Sequence, residues 1–501
     1  MVRHSKTTSE LWKSLPWKKF RKNLFRLQVR VYKAVRAGNK RKARQLQKLI
    51  LHSRAARFLA IRQVTQLNSG KKTAGIDNKT ALTFKSRFDL ELLLKQCGQN
   101  WYHNKLRTIP IKKKNGSHRI LKVPTIADRA WQCLAKYALE PAHEATFHAR
   151  SYGFRAGRSA HDAQFKLFLN LRSISNGINK NVLEIDIEKC FDRISHNTIM
   201  DNLIAPKELK TGIFRCLKVG INPEFPEQGT SQGGVVSPLL ANIALNGIES
   251  IGNCIRYADD MIIILKAHED ADLALEKVKE FLANRGMNVS EAKTKLTAPT
   301  SGFDFLGWKF YVQKNGKFRS IPSVDNFKTF RKKVKKIVNC SKYGATVKAK
   351  KLAPVVRGWR QYHKYCKLDG KFNLYHTQKR TYKVFNKEKK QDRYTSKNLL
   401  DKAFPSVPYS ENRHIMVKGD KSPFDGNLVY WSKRNSKLYY DLTSKLLAKQ
   451  NHTCGCCGLK FIDEKVHLHH IDGNHNNWKN KNLTAIHQSC HQYTHMSKST
   501  D

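Results

Sequence analysis

Two adjacent acids, Asp259 and Asp260, interrupt a run that otherwise reads as buried strand, with Cys254-Ile255-Arg256-Tyr257 before them and Met261-Ile262-Ile263-Ile264-Leu265 after. Neighbouring carboxylates repel each other and are costly to desolvate, so a strand-turn-strand rarely carries them without a counter-ion. Hard Mg²⁺, held by one or two carboxylates plus substrate phosphates, is the usual remedy. A solvated Asp-Asp hairpin turn is the competing reading. It loses ground because a second acidic strand lies upstream, running from Val182 through Glu184 and Asp186 to Asp192. Set side by side, the two strands bring Asp186, Asp259 and Asp260 to one metal pair, the layout of a nucleotide polymerase.

Charge narrows the class further. The chain has 501 residues and a formal charge of +55. Residues 1–60 hold 18 Lys/Arg against one acid, Glu10, and residues 311–450 hold 35 against nine. These blocks flank an interior that keeps most of the acids. Such asymmetry favours a polyanionic partner, since each phosphate neutralised releases a counterion. No apolar run approaches the length of a membrane span, and the N-terminus lacks a signal-peptide core, so no membrane role is expected. A soluble intracellular protein is expected.

Cysteine usage fits a reducing compartment. Cys97, Cys133, Cys190, Cys216, Cys254 and Cys340 are scattered singly and read as small buried hydrophobes. Cys454, Cys456, Cys457 and Cys490 instead cluster near the C-terminus among histidines. Cys454-x-x-Cys457 with His487-x-x-Cys490 is the spacing of a closed tetrahedral zinc site, and zinc can hold together a module too small to fold on its core alone. Cys456 is the spare thiol.

Residues 17–66 are expected to form two helices, with Leu24, Leu27, Val31 and Val35 in the first, a break at Gly38-Asn39, and Leu46, Leu49, Ile50 and Phe58 in the second. Their opposite faces are almost wholly Lys/Arg. Short strands and helices alternate from about 105 to 310, including a hairpin around Asn115-Gly116. Residues 325–400 are helical and basic. Pro405, Pro408, Gly419 and Pro423 then mark a loop-rich passage that reads as a linker or small basic module.

Taken in order, these segments resemble the reverse transcriptase–maturases encoded by mobile group II introns, over nearly the whole chain. The blocks that carry the resemblance are Ser151-Tyr152-Gly153-Phe154-Arg155-Ala156-Gly157-Arg158-Ser159, Asp186 to Asp192, Ser231-Gln232-Gly233-Gly234-Val235-Val236-Ser237-Pro238, Tyr257 to Asp260, Gly286 to Lys293, and Phe305-Leu306-Gly307-Trp308. Residues 350–366, with Trp359 and Tyr362 beside Arg357 and Arg360, resemble the thumb or maturase domain X. Two departures stand out: Thr230-Ser231-Gln232 lacks the proline the family often places before Gln-Gly, and the connection from Ser237 to Tyr257 leaves room for one helix.

The resemblance implies a multidomain α+β protein built as a right-hand polymerase. It comprises basic N-terminal helices and the start of the fingers (1–104), fingers and palm (105–312), a helical thumb (313–404), a basic DNA-binding linker region (405–445) and a small zinc-stabilised ββα-metal module of the HNH type (446–501). Asp186, Asp259 and Asp260 would hold two Mg²⁺ ions about 4 Å apart for in-line attack of a primer 3′-oxygen on an α-phosphate. Lys113 and Arg119 would grip the incoming dNTP, Phe191 would screen out a 2′-hydroxyl, and Gln232 and Gly233 would lie under the templating pair. Lys293 would protonate the leaving pyrophosphate; read alone, it is equally a surface lysine. In the C-terminal module His470 would be the general base, Asn482 would orient it through the turn, and His469 and His491 would hold one Mg²⁺ or Mn²⁺. Cys454, Cys457, His487 and Cys490 would hold Zn²⁺. The implied partners are intron RNA, target DNA and dNTPs, and the implied cycle is splicing assistance followed by target-primed reverse transcription. A splicing-only RNA-binding maturase is the alternative.

Overall fold

A computed structural model describes residues 7–80, 82–112, 116, 118–220, 224–439, 441–461 and 465–496. Lys113 falls outside them, and only the backbone of Arg119 is described. Residues 17–66 carry three α-helices in place of the expected pair, Trp17–Arg36, Lys40–His52 and Arg54–Arg62, and a short helix Thr8–Ser14 precedes them. The second break comes at Ser53, whose hydroxyl caps the third helix by accepting from Ala56 N at 3.3 Å. Apolar spacing runs on through Ile50 and Phe58, so periodicity alone passes over it. Leu24, Val31, Leu46, Ile50 and Phe58 are all buried in the same core as the palm helix Ile126–Glu144.

The described strands, in chain order, are β1 (Arg107–Lys112), β2 (His118–Val123), β3 (Asn181–Ile185), β4 (Asn253–Tyr257), β5 (Asp260–Leu265), β6 (Lys295–Thr297), β7 (Phe303–Phe305), β8 (Trp308–Val312), β9 (Phe318–Pro322), β10 (Val466–His470) and β11 (Leu483–His487). β1 and β2 pair antiparallel, with Ile109 opposite Leu121. The central sheet has order β4-β5-β3-β6, all antiparallel. Both of its faces are covered. Val182, Ile255, Ile262 and Ile264 pack with Ala163, Leu167 and Leu171 of the helix Ala160–Leu171. Leu183, Ile185, Cys254, Met261, Ile263 and Leu265 pack on the other side with Val278 and Leu282 of the helix Ala271–Ala283. Double coverage is the reason β5 reads as an unbroken apolar run and not as an alternating one.

Four helices, Val324–Val338, Ala345–Tyr362, Tyr375–Glu388 and Arg393–Ala403, enclose a separate core around Phe330, Leu352, Val356, Trp359 and Phe385. Trp359 is a core residue of this bundle: it stacks on Phe330 at 4.6 Å and donates to Asn326 Oδ1 at 3.0 Å. Tyr362 stacks flat on Trp308 at 4.3 Å and donates to the Leu306 carbonyl, joining the bundle to β8. Both rings are taken up by packing within the protein.

The passage read as a linker or small basic module is packed and not a free tether. Trp431 is fully buried, and a Cβ at Gly157 would lie 2.7 Å from its ring. Buried Asp162 accepts from Val417 N at 2.9 Å and Arg434 Nη2 at 3.2 Å, while Arg158 donates to the Gly419 carbonyl. The C-terminal unit opens with the helix Asp441–Lys449, slightly ahead of residue 446, because Leu446, Leu447 and Phe461 share one core with β11. Two of the singly placed thiols also depart from expectation: Cys97 is exposed and Cys340 half-buried. No described helix is long and apolar enough to cross a membrane.

Two buried histidines make the fold sensitive to acid. His143 accepts from Ile204 N at 3.2 Å, His363 sits against Asn326 Oδ1, and burial pushes each imidazole down to about 3. Both stay neutral in the fold, whereas the unfolded chain binds protons below about 6.5. Their contribution is therefore complete above pH 6.5 and is lost as pH falls towards 3, at about 2 kcal/mol each by pH 5. Urea unfolding at pH 7 and pH 5 should show the lower midpoint at pH 5, and His143→Gln should make that drop shallower.

Candidate active site and metal centre

β3 ends at Ile185, opposite Met261, so the next residue, Asp186, emerges beside the turn between β4 and β5. Tyr257 pairs with Asp260, leaving Ala258 and Asp259 as a two-residue hairpin turn. Asp186, Asp259 and Asp260 thus converge at one end of the sheet. Past Asp186 the chain pairs with a second segment: Ile187 bridges Val289, and Ser290 N donates to the Asp186 carbonyl at 2.8 Å. That pairing carries in Lys293, whose Nζ lies 3.0 and 3.2 Å from the two Asp186 carboxylate oxygens. Desolvation, then the charges of Asp259 and Asp186, push the Asp260 carboxyl up to about 6, with Lys293 opposing. Asp260 as a residue remains exposed, so the repulsion is the part of this shift that a bound cation would relieve. Three hard oxygen donors under mutual repulsion suit Mg²⁺.

The turn is held from beneath by Arg256, which was not read from the sequence as a functional residue. Its side chain is completely buried in β4. It meets Glu249 Oε1 at 2.6 Å, Asn242 Oδ1 at 2.9 Å, Ser151 Oγ at 2.8 Å and, on the turn itself, the Ala258 carbonyl at 2.9 Å. Ala258 has φ +60°, a left-handed conformation costing an alanine about 1–2 kcal/mol. A charged hydrogen bond to its carbonyl offsets part of that cost. Gly153 completes the support: Tyr152 N donates to the Arg256 carbonyl, Asn242 Nδ2 donates to the Gly153 carbonyl, and a Cβ at Gly153 would stand 2.3 Å from Ala258 N. An arginine inside an apolar strand was the available sequence signal, since a buried guanidinium must find a carboxylate.

The remaining palm residues fall nearby in the chain path. Phe191 follows Asp186 in the short helix Cys190–Arg193, packs on the main core, and its carbonyl accepts from Thr230 N at 2.7 Å. Gln232 accepts through its backbone from Lys122 N at 2.8 Å, and Gly233, at φ +127°, has room for no Cβ because the Lys122 carbonyl would lie 2.7 Å away. The glycine here permits close approach of β2 to the loop.

In the C-terminal unit, β10 and β11 pair antiparallel and are followed by the helix Gln488–Met496, a ββα arrangement. Ligand atoms of Cys454, Cys457, His487 and Cys490, all buried, lie within 4.8 Å of one another. His487 Nε2 faces the Lys460 carbonyl at 3.3 Å, so that nitrogen carries the proton and Nδ1, 3.4 Å from Cys457 Sγ, presents its lone pair to the sulfurs. Three sulfurs and one imidazole nitrogen in a buried cluster are a donor set suited to zinc.

A second cluster brings together His469, His491 and His495. His495 was missed in the sequence, although its position four residues after His491 puts both on one helical face. His470, the next residue on β10, turns its ring to His475 and Trp478, each at 5.0 Å, and not to that cluster; it is buried, and among the described residues its Nε2 has no hydrogen-bond partner. Asn482 closes the turn after His470: its carbonyl accepts from Ile471 N, Oδ1 accepts from Asp472 N, and Nδ2 donates to Asp472 Oδ1 and the Asn477 carbonyl.

Known families match three stretches of the chain. A model described as reverse transcriptase (RNA-dependent DNA polymerase) matches residues 111–310, the N-terminal domain of reverse transcriptase matches 12–94, and the group II intron maturase-specific domain matches 327–402. Maturase-like protein 1 of Euglena gracilis is 41% identical, covering 89% of this chain and 96% of the relative. Its namesake from Euglena longa is 36% identical over 78% of this chain and 86% of its own length. The group II intron-encoded protein LtrA of Lactococcus lactis is 28% identical over 50% of this chain and 54% of its own.

Arg256→Met should destabilise the protein by about 3–5 kcal/mol, because it strands buried Glu249 without a counter-charge. Adding Glu249→Gln should recover part of the loss. Urea unfolding of the two single variants and the double variant measures the coupling, and strictly additive losses would show that the pair does not act as a unit.

Proposed function

The chain belongs to the reverse transcriptase–maturases of group II introns, and on that premise we propose that it polymerises DNA on an RNA template, assists splicing of its intron RNA, and nicks target DNA with its C-terminal module. The convergence of Asp186, Asp259 and Asp260 at one sheet end, beside Lys293, carries this reading. Magnesium ions held by the three aspartates would supply the Lewis acidity for attack of a primer 3′-oxygen on a dNTP. The chain's own residues do the rest. Arg256 and Gly153 keep Asp259 and Asp260 aimed across the strand end. Lys293 balances the carboxylate charge and is placed to give a proton to the departing pyrophosphate. Phe191 limits the sugar that fits beside Asp186, Gln232 and Gly233 line the template side, and Lys113 and Arg119 of the fingers hairpin grip the triphosphate.

The two clusters of the C-terminal unit support an HNH-type nuclease. Cys454, Cys457, His487 and Cys490 would hold a structural zinc, and His469 and His491, joined by His495, one Mg²⁺ or Mn²⁺. His470, with an unpartnered buried nitrogen, is the base that takes a proton from water. Asn482 keeps it in place by fixing the turn that follows. A 3′-hydroxyl left by the nick would serve as primer for the palm, which gives one very basic chain a use for two dissimilar metal sites. Intron RNA and target DNA are the polyanions the charge serves, the packed segment 405–445 contributing to the DNA contacts.

Purified protein with Mg²⁺ should extend a DNA primer on an RNA template, and the Asp259→Ala, Asp260→Ala double variant should lose at least about 10²-fold in rate. Splicing retained without extension by either protein would overturn the polymerase reading in favour of an RNA-binding maturase. On double-stranded target DNA, His470→Ala should lose nicking while keeping primer extension; equal nicking by both proteins would remove His470 from the mechanism.

A further inference from the structure

The cysteine-histidine cluster is closed on its outer side by Arg21, a residue 436 positions before Cys457. Arg21 Nη1 lies 3.7 Å from Cys490 Sγ, 4.0 Å from Cys457 Sγ and 3.5 Å from His487 Nδ1, and donates to Ser489 Oγ at 3.2 Å. A second arginine from the same part of the chain supports it. Arg62, itself buried, donates from Nη2 to the Ser489 carbonyl at 3.2 Å, and its guanidinium sits 4.6 Å over Trp17 and 5.8 Å over Tyr493. Tyr493 in turn donates to the Lys13 carbonyl at 3.1 Å. The helix that carries Cys490 is thereby fastened to the helix Trp17–Arg36 by charge-assisted and aromatic contacts.

Charge explains why an arginine stands there. Three thiolates and one neutral imidazole around a divalent cation leave a net charge of −1 in a buried cluster, which a guanidinium donating N–H to sulfur neutralises. Three protonated thiols would offer Arg21 no such charge. We propose that Arg21 is an outer-shell partner of the metal centre, and that zinc occupancy latches the C-terminal module onto the N-terminal helices. The latch rests on the zinc reading of the cluster. It makes the placement of the nicking module relative to the fingers depend on metal.

The test uses the full-length chain, with zinc affinity measured by chelator competition and backbone hydrogen exchange followed across residues 17–36 and 488–496. Arg21→Ala is expected to weaken zinc binding about 10-fold or more, the usual effect of removing an outer-shell partner. Arg21→Lys should fall between it and the wild type, and Lys22→Ala, an exposed charge on the same helix, should match the wild type. Removing zinc from the wild type should raise exchange in both segments. Should Arg21→Ala prove poorly folded by circular dichroism, Ser489→Ala, which removes the hydroxyl anchor of the guanidinium, should still weaken zinc binding. Zinc affinity within two-fold of wild type for Arg21→Ala, or exchange indifferent to zinc, would overturn the latch alone. A wild-type chain that binds no zinc would overturn the zinc reading and the latch together.

Discussion

The buried ion pair between Arg256 and Glu249 is the constraint on which the palm depends. A guanidinium with no exposed surface is tolerated only when every strong donor is answered, and here the answers come from four separate stretches of chain. Ser151 belongs to the block before the helix Ala160–Leu171, Asn242 to the helix Ser237–Leu245, Glu249 to the turn after it, and the Ala258 carbonyl to the acidic hairpin. One side chain therefore sets the position of the sheet, of both flanking segments, and of the turn bearing Asp259. The left-handed backbone at Ala258 persists because this network over-determines it.

The same economy of charge recurs across the molecule. Several buried acids have assigned cations: Glu249 meets Arg256, Glu144 meets Arg155 at 2.9 Å, and Asp162 answers Arg434 and the backbone of Val417, whereas buried Asp128 is held by Trp101, Thr125 and Asn104. Among the described residues, the cation paired with the Asp186, Asp259 and Asp260 group is Lys293 on Asp186, itself largely exposed, a surface-type pairing worth little. Carboxylates gathered at a sheet end with so weak a protein counter-charge are placed for a cation from outside. Most of the lysines and arginines in the N-terminal and thumb blocks face solvent.

Legibility followed from how local each signal was. The acidic hairpin was readable because its flanking strands and its two-residue turn are contiguous, and the register Tyr257↔Asp260 is what such a turn requires. The cysteine-histidine pairs were readable from spacing. His495 went unread, although it stands one helical turn after His491, because a histidine near the chain end carries no meaning until a helix is formed. Trp359 and Tyr362, one turn apart beside arginines, fit a binding face or, for Trp359 better, a core position, and packing settles it for the core by stacking Trp359 on Phe330 and Tyr362 on Trp308. The helix Arg54–Arg62 was hidden because Ser53 breaks the chain without breaking the apolar period.

What the sequence determined by itself was therefore the set of chemical groups and the elements that carry them. Apolar runs pointed to a doubly covered sheet, paired acids to a cation site, and two pairs of soft ligands to a metal cluster. What the tertiary structure decided was which distant groups meet. Arg256 reaching Glu249 and Ser151, Gly153 beneath Ala258, segment 414–434 bound to Asp162, and Arg21 closing the C-terminal cluster all join residues that share no period and no motif. Such contacts depend on where whole helices and strands come to rest, and that is set by the sum of core packing and buried charge rather than by any local pattern.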